Sequence, residues 1–325
     1  MKKLFRVALT SGDVDGIGPE VTAKALAKVK SQKGIQFYLW RSPHFPRKYL
    51  HLIDKHFRRL EVKSWHEALQ QPTDFHKTLI DINSPLPPAR WVEAMAKAGQ
   101  MGSLDALVTA PLSKLGIIQA GMKDSGHTGI LKRISKVPEI YMSFLGKHFN
   151  VVLLTGHTSI RKAYNQISAE RLEHCMKLSK ELRDWLPAAV RHQPIGVVGC
   201  NPHAGEGGVI DSKELDVFGP VLRKLNRGKK AFVGPLVPDV CFQDIFWKKY
   251  SVYVASYHDQ GLIPFKMVHG AKSGIQISLG LPFVRTSVDH GTAKDIAGKD
   301  KADESSMKRA IEIAVDRLKE KPIKW

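Results

Sequence analysis

The strongest constraint on this chain is an alternation. Short apolar runs, about as long as single strands, are separated by segments of helical periodicity. Six runs read as strands: LFRVALT (4–10), IQFYLW (35–40), DALVTA (105–110), NVVLLT (150–155), IGVVGC (195–200) and SVYVAS (251–256). Several are continuously apolar, the pattern of a strand covered on both faces by helices. Pro19–Lys28 opens with a proline, favoured in the first turn of a helix. Ala169–Leu186 sets Leu172, Met176, Leu182 and Trp185 near helical spacing, and Met307–Leu318 sets Ala310, Ile311, Ala314 and Leu318 on one stripe. The alternation predicts an α/β fold with open, mostly parallel sheets flanked by helices. Residues 41–90, rich in His, Pro, Lys and Arg, carry the least readable pattern.

In such sheets, ligands bind outside the carboxyl ends of the strands. The chemically distinctive stretches all follow strands: SGDVDG the first, APLSK the third, GHTSI the fourth, NPHAGEGG the fifth and YHDQG the sixth. His157, His203 and His258 share that position. Three imidazoles meeting at one sheet edge form a catalytic-type site for zinc or a similar divalent ion. Asp259 is the natural partner for an adjacent imidazole. NPHAGEGG has glycines around Glu206, which let backbone approach a ligand. Arg285, between Pro-Phe-Val and Thr286-Ser287, offers a planar fork for phosphate or carboxylate. Lys266 would add a point charge. GHTGI, with His127 and Thr128, is a weaker signal at a turn.

Several function classes are excluded. SGDVDGIGPEV lacks the third glycine of the dinucleotide fingerprint, and no GxxxxGK[ST] or GxSxG occurs. No apolar run approaches the ~20 residues of a membrane span. The start, MKKLFRVALTSGD, reads as a first strand and not as a leader. The formal charge of +19 raises nucleic acid, but Lys and Arg are spread along the chain without a recognition motif. A basic surface suited to anionic substrates is expected instead. Three widely spaced cysteines fit a reducing cytoplasm.

GDVDGIGPEV, DALVTAPLSK, GHTGIL, NPHAGEGG, YHDQGLIPFK and GLPFVRTSVDHGTAKDIAGKDKAD occur in one order and spacing. Together they resemble the 4-hydroxythreonine-4-phosphate dehydrogenase family of pyridoxal phosphate biosynthesis, from residue 5 to about 310. The resemblance implies an isocitrate/isopropylmalate dehydrogenase-like fold of two α/β domains, residues 1–128 plus 280–325 and residues 129–279, with the active site in the cleft. It implies oxidation of 4-phosphooxy-L-threonine by NAD or NADP. The β-keto product loses carbon dioxide to give 3-amino-2-oxopropyl phosphate. It implies one divalent ion per site (zinc, magnesium or cobalt) on His157, His203 and His258, with the third from the neighbouring subunit of a homodimer. Substrate contacts would be His127, Thr128, Lys266, Gln276 and Arg285. The cofactor loop would include His290, Gly291, Thr292, Ala293 and Asp295. The general base is left unassigned.

The chain departs from the family pattern in four places. Val14 and Asp15 replace Pro-Ala in the opening loop, Gly129 replaces an acid after GHT, and TGHTSI replaces TTHIPL. Gln276 stands at a substrate-contacting Asn. These changes keep a paralogous reading open, a dehydrogenase of a 4-phosphothreonate or 4-phosphoerythronate. A phosphate acyltransferase on a related fold would need neither the histidines nor the HGTA loop.

Overall fold

The computed structural model describes residues 4–71, 77–228, 230–270 and 274–323. In chain order the strands are β1 (Phe5–Thr10), β2 (Ile35–Arg41), β3 (Arg58–Val62), β4 (Thr78–Asn83), β5 (Ala106–Thr109), β6 (Tyr141–Leu145), β7 (Val151–Leu153), β8 (Ile195–Val198), β9 (Phe232–Leu236), β10 (Tyr253–Ala255), β11 (Ile275–Leu279) and β12 (Val284–Val288). The six expected runs are all strands. The helices Gly18–Lys28, Ala169–Asp184 and Ser305–Leu318 occupy the three expected segments.

The chain divides into two compact units. The first runs to Ile140 and adds Leu281–Lys319; the second is Tyr141–Gly280 with the residues from Glu320. The helix His127–Ser135 packs on Pro88–Gln100 and belongs with the first unit.

In the first unit the strand order is β3-β4-β2-β1-β5-β12, all parallel. Parallel strands need crossover connections, and here helices supply them. Val7, Ala8 and Leu9 are fully buried, as expected for a strand covered on both faces. The Pro88–Gln100 helix buries Trp91, Val92 and Met95 against Ile80, Ile82 and Leu107. A buried ion network closes one end of the sheet. Asp81 is fully buried and accepts from Arg41 Nε at 2.8 Å and from Arg59. Such a charge is tolerable only when paired.

In the second unit the order is β11-β6-β7-β10-β8-β9. The strands β7, β10, β8 and β9 run parallel, while β6 is antiparallel to both its neighbours. The core is aromatic: Phe149 packs on Phe265, Tyr253 and Phe242 at centroid distances of 5.7–5.8 Å. Adjacent parallel strands deliver their carboxyl ends to one edge. Thus β7, β10 and β8 present the loops beginning at Leu154, Ser256 and Gly199 side by side. In the first unit β1, β5 and β12 do the same with the loops at Ser11, Ala110 and Asp289.

Candidate active site

The loops after β7 and β10 bring two of the three expected histidines together. The His157 and His258 rings lie 4.9 Å apart between centroids, inclined at 47°. His258 opens the helix His258–His269, and its Nδ1 is 2.7 Å from Asp259 Oδ1. That contact leaves Nε2 as the outward donor atom, the arrangement that orients a metal-binding imidazole.

His203 does not complete a cluster within the chain. Among the described residues, no three His, Cys, Asp or Glu side chains are disposed to hold a metal ion. Within the chain, His157 and His258 form a pair and His203 is exposed. A position after a strand determines the sheet edge a residue reaches, but not how far the loop then travels. Here the loop turns through five consecutive left-handed residues, from His203 (φ 51°) to Gly207 (φ 65°). Non-glycine residues rarely adopt that conformation, so the surroundings must hold it. Buried Glu214 accepts from the Cys200 and Asn201 backbone N–H groups at 2.8 Å and from Asn201 Nδ2 at 3.0 Å. A side chain on Gly205 would meet Asp211 O at 2.7 Å. Tyr164 donates to Asp211 at 2.7 Å and, with the Lys213 N–H, holds that carboxyl below its ordinary range.

Lys266 is exposed on the His258–His269 helix, about 12 Å along the axis from His258. Gln276 is buried on β11.

The first unit assembles an anion-seeking group. Arg285 on β12 is 2% exposed, and its Nη2 donates to Thr109 Oγ1 at 2.6 Å. Thr109 Oγ1 donates in turn to Ser287 Oγ at 3.1 Å. Burial pushes the guanidinium down to about 9, so it stays charged at neutral pH. His127 is half-buried at the start of its helix, with Thr128 beside it. Its Nε2 is shielded from solvent without a hydrogen-bond partner. Burial, then the Arg285 charge, pushes the imidazole down to about 3, so it is neutral. A buried guanidinium beside a neutral imidazole with an unused ring nitrogen suits an anionic, hydroxyl-bearing ligand.

The loop after β12 touches the loop after β1. Ile17 N–H donates to Thr292 O at 2.9 Å, and Lys294 Nζ lies 2.6 Å from Asp15 Oδ2. Asp13 accepts from the Ser113 N–H at 2.9 Å, tying in the loop after β5. Gly12 has φ 70°, and a Cβ there would come within 2.2 Å of Pro111 O. The opening stretch is thus a three-loop junction. His290 Nε2 is also buried without a partner, while its Nδ1 is 3.0 Å from Gly291 O. Ala293 is left-handed (φ 40°), and Gly291 and Asp295 are exposed. The open backbone around Gly291 and the unused His290 nitrogen fit a polar ligand such as a nucleotide.

Residues 87–314 match the family model described as "Pyridoxal phosphate biosynthetic protein PdxA". The chain belongs to the PdxA family. It is 32% identical over 322 residues to the 4-hydroxythreonine-4-phosphate dehydrogenase of Sulfurihydrogenibium sp. (strain YO3AOP1), covering 96% of this chain and 98% of that one. It is equally 32% identical, over 324 residues, to the D-threonate 4-phosphate dehydrogenase of Bordetella bronchiseptica, covering 95% and 91%. The structure of 4-hydroxythreonine-4-phosphate dehydrogenase from Klebsiella pneumoniae superimposes with a TM-score of 0.73 at 28% identity, over 97% of this chain and 99% of that one. Isocitrate dehydrogenase from Methylococcus capsulatus gives a TM-score of 0.54 at 13% identity, over 98% and 86%, and shares the fold alone. The fold of this PdxA-family chain is thus the isocitrate dehydrogenase-like α/β fold.

Sequence reasoning missed Thr109, Asp13 and Glu214. Each acts on a neighbouring group and carries no signature of its own. Their position in or just after strands, or beside a glycine-rich loop, was the available signal.

Proposed function

We propose that this chain oxidises 4-phosphooxy-L-threonine with NAD, in a divalent-metal-dependent reaction. The product is 2-amino-3-oxo-4-phosphooxybutanoate, which loses carbon dioxide to give 3-amino-2-oxopropyl phosphate for pyridoxal 5'-phosphate synthesis. The observation that carries this reading is buried Arg285 beside neutral His127 in the first unit, in a chain of the PdxA family; within the second unit, the His157–His258 pair supports it separately.

Arg285 and Lys266 hold the phosphate and carboxylate of the substrate. The low pKa of His127 keeps its ring from repelling Arg285, and its Nε2 meets a substrate hydroxyl or phosphate oxygen. Thr128 and Gln276 contact the substrate from flanking positions. His290, Gly291, Thr292, Ala293 and Asp295 hold the adenosine side of the cofactor, and the bond from Ile17 to Thr292 couples that loop to the SGDVDG loop. His157 and His258 hold the ion, and His203 of a second copy supplies the third imidazole, so the active form is a homodimer. Held there, the ion would supply Lewis acidity at the substrate hydroxyl, and a bound nicotinamide would supply the hydride acceptor.

The second reading is oxidation of a 4-phosphothreonate. Gly129 and Gln276, which depart from the family pattern, and the Bordetella relative's name favour it. The two substrates differ at the amino-bearing carbon. The test is to incubate the protein with NAD and 4-phosphooxy-L-threonine, with and without a chelator, and follow NADH absorbance. The reading expects NADH that disappears with the chelator and returns with added zinc, magnesium or cobalt. NADH formation indifferent to chelation would sink the metal assignment.

A further inference from the structure

The second unit carries a cavity of about 430 Å³ at the opposite edge of its sheet from the histidine pair. Its walls come from segments that enter the parallel strands. Gly146–Asn150 leads into β7, Gln193 lies two residues before β8, and Tyr250 lies three before β10. The carboxyl ends of the same strands carry His157 and His258, so this cavity is not part of that site.

The lining is aromatic and cationic: Lys147, His148, Phe149, Trp247, Lys248 and Tyr250. Phe149 is 2% exposed and forms a fixed floor, ringed by Trp247 at 5.8 Å and His269 at 5.1 Å. The His148 ring is exposed and inclined at 58° to Trp247, with centroids 5.3 Å apart. Its backbone is held in place. His148 N–H donates to His269 Nε2 at 3.0 Å, and His269 Nδ1 donates to Phe265 O at 3.0 Å. Gly146 lies so close that a Cβ would meet the His269 ring at 2.4 Å. Trp247 Nε1 is already bonded to Phe242 O at 2.8 Å, so its ring face, not its N–H, is what it offers.

We infer that this cavity is a binding site for a small planar aromatic anion, with the ring against His148 and Trp247 and the charge between Lys147 and Lys248. The volume lies in the range of small-molecule sites, about 300–1,000 Å³. Pre-set aromatic walls favour a flat ring by offset or edge contacts, because little side-chain freedom is lost on binding. Two exposed lysines outweigh the single acid in the lining, Asp244, so the site selects negative charge.

The experiment titrates the full-length protein with 2-naphthoate, in excess NAD to fill any nucleotide site, by isothermal calorimetry. The proposal expects one saturable site per chain at millimolar or tighter affinity. His148→Ala and Lys248→Glu, both exposed side chains, should each weaken it about tenfold while leaving the Tm within a degree or two of the wild type. His127→Gln should leave it unchanged. Absence of saturable binding at millimolar probe would overturn the proposal. So would binding that neither variant weakens, since the probe would then sit elsewhere. NADH formation by His148→Ala stays at the wild-type rate whichever substrate reading holds, which separates this site from the reaction.

Discussion

Replacing Arg285 with methionine separates a ligand clamp from a structural strut. The guanidinium is 2% exposed, and burial lowers its pKa well below the ordinary guanidinium range, to about 9. Burial therefore disfavours the charged form in the folded protein. The sign follows from proton binding. Above about pH 9 and up to the ordinary guanidinium value, the unfolded chain holds the proton more tightly than the folded one, so stability rises with pH there. At neutral pH, below the folded value, the penalty is present in full. Methionine has a similar shape and removes the charge. Thr109 Oγ1 loses a donor, which costs about 1 kcal/mol. After relaxation of the buried site the variant should be as stable as the wild type or more so, and the Tm should hold or rise by a few degrees. Activity should move the other way. Loss of a two-pronged contact to phosphate or carboxylate costs about 4 kcal/mol, near a thousandfold in kcat/KM. Thermal unfolding by circular dichroism and NADH formation on the same preparation give both numbers. A Tm lowered by many degrees with kcat/KM preserved would show that Arg285 is a core strut, and the reasoning from its burial would fail.

Other consequences are as specific. His127 titrates near 3 in the fold and near 6.5 when unfolded, so its contribution to stability is complete above 6.5 and is lost as pH falls towards 3. The stability of wild type relative to His127→Gln, read from urea midpoints, should fall as pH drops from about 6.5 towards 3; a difference independent of pH would refute the buried, neutral imidazole. Gly205→Ala forces a Cβ against Asp211 O in a left-handed position, so the variant should lose roughly 2 kcal/mol or more and bind zinc more weakly, read by unfolding and metal analysis. Mixing His157→Ala with His203→Ala subunits should restore roughly a quarter of wild-type sites, because half the dimers are mixed and each holds one intact site. No recovery above the two inactive parents would place all three ligands in one chain.

Much of the fold was legible because buried parallel strands announce themselves. Val7–Leu9, Val151–Leu153 and Ile195–Val198 are apolar on both faces, and each was readable as a strand. The missed strands carry mixed signals. β12 (VRTSV) holds Arg285 and two hydroxyls, which bond to Thr109 and Ala310; β3 (RRLEV) lies at the sheet end and is half exposed; β4 contains Asp81, whose charge is matched by Arg41 and Arg59 brought in from elsewhere. The candidate site divides in the same way. Position after a strand predicted that His157 and His258 share an edge. It did not predict where His203 lies, because left-handed backbone and the Glu214 anchor determine that loop's path. Thr109 and Asp13 were invisible because their roles depend on partners about 100 residues or more away in sequence.

The central claim is tested most directly by steady-state turnover of two substrates on one metal-loaded, dimeric preparation. 4-Phosphooxy-L-threonine and D-threonate 4-phosphate are each given with NAD, and NADH is followed. The account predicts a higher kcat/KM for 4-phosphooxy-L-threonine, with carbon dioxide released in step with NADH. Turnover of D-threonate 4-phosphate alone would contradict it and assign the chain to the second substrate.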